Sequence, residues 1–176
     1  MKYFLPVDGI ERTADISKCK LYRYSLTRLW DEKLPMIMFV GLNPSRADAV
    51  KDDRTITRLI NFSKSWGYGG FYMLNLFAYR TPYTKQLFKY PYPVDSRNSV
   101  KTNLELSYYG QIASRIVFCW GTKGGFECRD VWAIKQFPNA YCFRQTRDGH
   151  PEHPLYLPAE TKPVKFNPQH NKNYEL

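Results

Sequence analysis

The sequence is poor in the residues and patterns that announce most chemistries. It contains no Gly-rich dinucleotide fingerprint, no phosphate-binding loop and no Gly-x-Ser-x-Gly elbow, so the common nucleotide-cofactor and serine-hydrolase signatures are absent. The four cysteines, Cys19, Cys119, Cys128 and Cys142, form no C-x-x-C pair and have no histidine at finger spacing. That argues against a zinc or iron–sulfur site and against any bound metal or other cofactor. Cys119 and Cys142 sit inside apolar runs, where inert buried thiols are expected. No apolar run approaches the roughly 20 residues of a membrane span, and MKYFLPVDGIERTAD reaches acidic residues too soon to read as a secretory leader. The expectation is a cytoplasmic protein with no membrane partner and no disulfides.

Acidic residues are also scarce. Asp and Glu number 16 against 26 Lys and Arg in 176 residues, a formal charge of +10. A surplus of that size favours a polyanion, DNA above all, through phosphate contacts and counterion release. What is plentiful is aromatic: 14 Tyr, 11 Phe and 4 Trp. Tyrosines mixed with Arg80, Lys85 and Lys89 supply stacking faces beside positive charge, as single-stranded or flipped-base binding requires.

The chain reads as one domain over residues 1–158 followed by a basic, extended tail, 159–176, and as a monomer. Residues 20–30 alternate in the manner of a strand or hairpin arm. Apolar runs at 36–42, 71–77, 115–120 and 140–145 predict buried strands. Between them, residues 55–66 have helical spacing, with Asp52 or Asp53 to cap the start and Gly67 to end it. Residues 80–98 read as a loop. A helix beginning at Asp95 or Ser96 should turn Val100, Leu104, Tyr108 and Ile112 inward, and a helix over 123–137 should bury Phe126, Trp132, Ile134 and Phe137. Strands alternating with helices predict an α/β fold of three layers, α/β/α, around a mainly parallel four-stranded sheet. In such sheets ligands sit beyond the carboxyl ends of the strands. Polar residues there should converge: Asn43 to Ser45, Asn75 to Arg80, Trp120 to Lys123, and Arg147 to His153.

Gly41-Leu42-Asn43-Pro44-Ser45 ends the first of these strands. Gly41 permits close approach to the backbone and Pro44 stiffens the turn. Asn43 then either orients a water or satisfies its own turn. Asn75 interrupts an apolar strand, so its amide needs a structural network or a ligand. His150 and His153, in a Pro-rich turn, have the chemistry to move a proton or steady an anion.

The segments VGLNPSRADA, WGYGG, MLNLFAYRTP and DGHPEHPLYLP together look like a family of bacterial and phage proteins known only as a domain of unknown function. More distantly, the layout resembles the uracil-DNA glycosylase superfamily. GLNPS is similar to the Gly-Ile-Asn-Pro-Gly of its mismatch-specific branch, LNLFAYRTP to that branch's Thr-Asn-Leu-x-x-Arg-Pro, CWG to the Leu-Trp-Gly of the classical branch, and GHPEHPL to the classical His-Pro-Ser-Pro-Leu loop. The resemblance implies a uracil-DNA glycosylase-like fold and hydrolysis of the N-glycosidic bond of a deaminated or modified base. Asn43 would position water, Asn75 would read the base, and His150, or His153 in its place, would stabilise the departing base. Gly41, Leu42, Pro44 and Ser45 would line the pocket, with Phe77 and Tyr79 as candidates to stack on the base. Leu155 or Tyr156 would wedge into DNA, and Arg46, Arg80, Lys85, Lys123 and Arg147 would meet its phosphates. A non-catalytic DNA-binding or modified-nucleotide-binding module, or an enzyme of free nucleosides or nucleotides, are the rival readings.

Overall fold

The computed structural model describes residues 8–90 and 96–170. Asp95, the Pro91-Tyr92 pair and the last six residues of the expected tail lie outside the described residues.

Seven strands form one mixed sheet: β1 (Glu11–Ile16), β2 (Arg23–Leu29), β3 (Met36–Gly41), β4 (Gly70–Asn75), β5 (Arg115–Phe118), β6 (Tyr141–Cys142) and β7 (Val164–Lys165), in the order β1-β2-β4-β3-β5-β6-β7. The pairings β4–β3, β3–β5 and β5–β6 are parallel, whereas β1–β2, β2–β4 and β6–β7 are antiparallel. This overturns the expected four-stranded, mainly parallel, uracil-DNA glycosylase-like arrangement. The reason is physical. Continuous apolar runs reveal only strands buried on both faces. The half-exposed β1 and the two-residue β7 leave no such run, and β2 carries two arginines within its seven residues.

The helices are α1 (Arg54–Ser65), α2 (Thr84–Lys89), α3 (Ser96–Ile112) and α4 (Arg129–Gln136). Helix α1 lays Ile56, Leu59, Ile60 and Phe62 on one face of the sheet, against Ile37, Phe39, Phe71 and Val117. Leu87, Leu106, Ala133 and Ile134, from the other three helices, cover Met38, Val40, Leu74 and Phe118 on the opposite face. Each of the larger side chains among these contributes about 1.5–3 kcal/mol on full burial.

Several local expectations fail instructively. The 80–98 segment contains α2 rather than only loop. In α3 the stripe Val100, Leu104, Tyr108 and Ile112 faces outward, while Thr102 and Leu106 are buried. Spacing defines a stripe but not which side the sheet takes. The 123–137 helix breaks where Glu127 and Cys128 adopt φ of 53°, so only Arg129–Gln136 is α-helical. The stretch after Pro158, read as a tail, packs onto the domain in its described part. Val164 and Lys165 pair with β6, Phe166 is buried against Phe118 and Trp120, and Trp66 donates to the Thr161 carbonyl.

An arginine network ties the edge of the sheet to the loop before α1. Arg28 is fully buried and pairs with Asp52 at 2.7 Å. It also donates to the Asp48 and Thr27 carbonyls. Arg12 holds the same Asp52 at 3.1 Å. This loop then delivers Asp53, whose carboxylate caps α1 by accepting from the Ile56 N–H at 3.0 Å.

Candidate functional site

A cavity of about 800 Å³ opens where β3, β4 and β5 end. Its floor is built by register. Gly41 and Asn75 are Cα partners at the carboxyl ends of adjacent parallel strands. The Asn75 side chain leans over Gly41 so closely that a Cβ there would lie 2.8 Å from Asn75 Nδ2. Asn75 is 3% exposed, and its Oδ1 accepts from Arg23 Nη2 at 3.2 Å, whereas Nδ2 has no partner among the described residues.

Arg23, from β2, is as buried as Asn75 and also lines the cavity. Its Nη1 donates to the Ala47 carbonyl at 3.0 Å and its Nε has no partner among the described residues. Among the described residues no carboxylate lies within ion-pairing distance of it. Burial pulls its pKa down to about 10, with Asp53 the foremost charge opposing that shift, so the guanidinium remains cationic at neutral pH. A third orphan completes the set. Trp120 Nε1 is buried without a partner, its indole pressed against Gly124. Three residues that line the cavity each carry a buried polar atom with no partner among the described residues, Arg23 Nε, Asn75 Nδ2 and Trp120 Nε1, and all three are N–H donors. Such groups cost free energy unless something accepts from them.

The wall is the 144–156 segment. Arg144 and Glu152 pair across it at 2.7 Å, Gln145 bridges to Pro151, and Gly149 turns the chain at φ 80°. Gly121 donates to the Pro151 carbonyl, fastening this hairpin to the end of β5. Its far strand places His153 in the cavity. His153 Nδ1 accepts from the Leu155 N–H at 3.4 Å, so the neutral ring carries its proton on Nε2. Burial lowers the His153 pKa, opposed by Asp53, and the ring is therefore a neutral donor at pH 7.

The family described as "Protein of unknown function (DUF1643)" matches residues 23–155. The chain belongs to this family. The DUF1643 span begins at Arg23 and ends at Leu155, two residues that line the cavity, and it contains β2 to β6 and α1 to α4. Neither a curated protein nor a solved structure matches the chain.

Within the DUF1643 span the structure brings together Gly41, Leu42, Asn43, Ser45, Asn75, Lys123, His153 and Leu155 around the cavity, with Tyr156 just beyond the span. It does not bring the rest. Pro44 is buried behind the turn. Phe77 is buried against Phe126, and the Tyr79 ring stacks on Tyr90 at 4.0 Å, so neither candidate for base stacking lines the cavity. His150 lies in the hairpin turn, its backbone N–H donating to Thr146 Oγ1, and is not a lining residue; His153 is. Arg46, Lys85 and Arg147 are exposed away from the lining, and Arg80 donates to the Lys20 carbonyl. Asn43 is tied down. Its Nδ2 donates to the carbonyls of Pro44, Thr81 and, at 3.3 Å, Tyr79. That leaves Oδ1 as the end of the amide able to accept from a water.

Sequence reasoning missed Arg23 and favoured capping over a functional role for Asp53. The signal for Arg23 was a basic residue inside YRYSLTRL, a stretch in which nearly every residue is buried. Cys119, also at the cavity, has its thiol pushed well above the usual range by burial, and the Cys142 thiol is pushed up to about 12; neither is nucleophilic at neutral pH.

Proposed function

We propose that the cavity receives a nucleobase extruded from DNA and that the protein hydrolyses its N-glycosidic bond. The observation that carries this reading is the Asn75 amide: buried, held at one end by Arg23, and with Nδ2 unpaired at the cavity floor. Glycosidic cleavage leaves negative charge on the departing base, and donors aimed at that charge lower the barrier selectively. Asn75 Nδ2 supplies one such donor and the neutral His153 Nε2–H another. Asn43 Oδ1 and the Asp53 carboxylate are the acceptors available to orient an attacking water. Tyr156, 83% exposed on the cavity rim, is suited to fill the gap that a flipped base leaves in the stack. Lys123 and the formal charge of +10 favour the DNA backbone. The short likeness of GLNPS and GHPEHPL to glycosylase segments agrees with this chemistry, although the sheet does not follow that fold.

The test is a panel of oligonucleotides carrying uracil, thymine mismatches or enlarged pyrimidines, with alkaline strand scission to reveal abasic sites. Release of one base, abolished in Asn75→Ala with folding intact, is the expected result. Tight binding without scission on any member would replace the enzyme by a binding module. Activity on free nucleosides alone would move the substrate away from DNA.

A further inference from the structure

Among the residues lining the cavity, the buried hydrogen bonds left unmet are one-sided. Its three buried unpartnered polar atoms all donate, and the cation among them has no counter-ion in contact among the described residues. Placing a charge where it is neither solvated nor paired costs several kcal/mol in general. A fold that retains one at a cavity floor gains only if something arriving there answers it. Arg23 has a second effect. Because Nη2 must donate, the atom of Asn75 that faces it must be the oxygen. Rotating the amide by half a turn would set N–H against N–H. Arg23 thereby fixes Asn75 with its nitrogen toward the ligand, and Gly41 supplies the room for that nitrogen.

We propose that Arg23 sets the ligand class of this pocket, making it select heterocycles that present a ring carbonyl and ionise to an anion over heterocycles that present an amino group. The inference rests on the reading of the cavity as a base pocket and adds to it a residue that decides which bases enter. Two separable actions are involved. The hydrogen bond to Asn75 Oδ1 decides keto against amino, since an amino edge would meet N–H with N–H. The charge favours a ring that has lost a proton, through the low-dielectric floor. Arg23 is a positioning residue in the first action and an electrostatic one in the second.

Calorimetric titration of the full chain with free uracil, cytosine and 5-nitrouracil, repeated across pH, separates the two. The wild type should bind uracil at least about tenfold more tightly than cytosine, the discrimination that a buried polar mismatch commonly gives. Its affinity for 5-nitrouracil should climb as pH rises through that ring's own ionisation. Arg23→Lys keeps a charge without the fork, so the keto preference should collapse towards parity while the pH-dependent gain persists. Arg23→Gln should lose both. Equal wild-type affinities for uracil and cytosine, or an Arg23→Gln protein of unaltered circular dichroism that retains both preferences, overturns the proposal. If Arg23→Gln does not fold, the wild-type pH series and Arg23→Lys still decide it. Keto-selective binding with no base release from any oligonucleotide would refute excision and leave this inference standing. Excision with an unchanged ratio in Arg23→Lys would do the reverse, and no binding of any ring would end both.

Discussion

Gly41→Ala is the sharpest probe of the cavity floor. Gly41 does not occupy the left-handed region, so alanine meets no backbone penalty and the effect is purely steric. The new methyl group would sit 2.6 Å from Met73 Cε and 2.8 Å from Asn75 Nδ2. Ordinary contact needs about 3.5 Å. Met73 yields easily because the contact is the far end of a flexible side chain. The Asn75 amide cannot, because Arg23 grips its oxygen and is in turn anchored to the Ala47 carbonyl. The amide must therefore move by about 0.7 Å, the gap between 2.8 Å and ordinary contact. Overpacking of this kind costs about 1–3 kcal/mol. At about 2–4 °C per kcal/mol for a chain of this size, the melting temperature should drop by roughly 2–12 °C. Function should suffer more than stability, since a misplacement near 1 Å costs up to about a hundredfold. Thermal unfolding followed by circular dichroism, run beside uracil titration, measures both. A lowered melting temperature with unaltered affinity would show that Asn75 does not read the ligand. No change in either would show that the close approach of Gly41 and Asn75 does not exist.

Other outcomes follow from the same geometry. Arg28→Met removes the partner of Asp52 and the donor to the Asp48 carbonyl, and should cost about 3 kcal/mol in urea unfolding; a loss under about 1 kcal/mol would mean the network is not structural. His153 has a folded-state pKa below its unfolded value, so the unfolded chain takes up the proton first. Stability should accordingly be full above about pH 6.5, the unfolded value, and fall as pH drops below it. His153→Gln should flatten that slope between pH 7.5 and 5.5, and an identical slope in both proteins would contradict the burial of the ring. Phe166→Ala should destabilise by about 3 kcal/mol, because the segment after Pro158 is packed onto the sheet. A free tail would give no change in melting temperature.

Part of this protein was legible without coordinates. The strands β3, β4 and β5 announce themselves because burial on both faces demands unbroken apolar runs, and α1 begins where its local cap, Asp53, stands. Asn75 was conspicuous as an amide in an apolar strand, and Gly41 and Asn43 as the turn that follows one. These signals are local, written within a few residues of where they act. The side of α3 that meets the sheet is not of this kind, and the exposed Val100, Leu104, Tyr108 and Ile112 show how an amphipathic stripe leaves the choice of face to its neighbours. Nor is the choice between His150 and His153, which the hairpin makes by turning at Gly149.

Arg23 is the clearest case. Alone in its strand it is one more basic residue of a basic protein. Only the insertion of β2 beside β4 brings it 3.2 Å from an amide 52 positions later, away from water and, among the described residues, beyond ion-pairing distance of any carboxylate. The sequence alone established the apolar segments, the caps and turns, and the excess of positive charge, because each depends on a residue and its chain neighbours. Which donors share a cavity, which way an amide faces and which charge goes unpaired were decided by the tertiary structure, because hydrogen bonds and Coulomb forces act across space and are indifferent to distance along the chain.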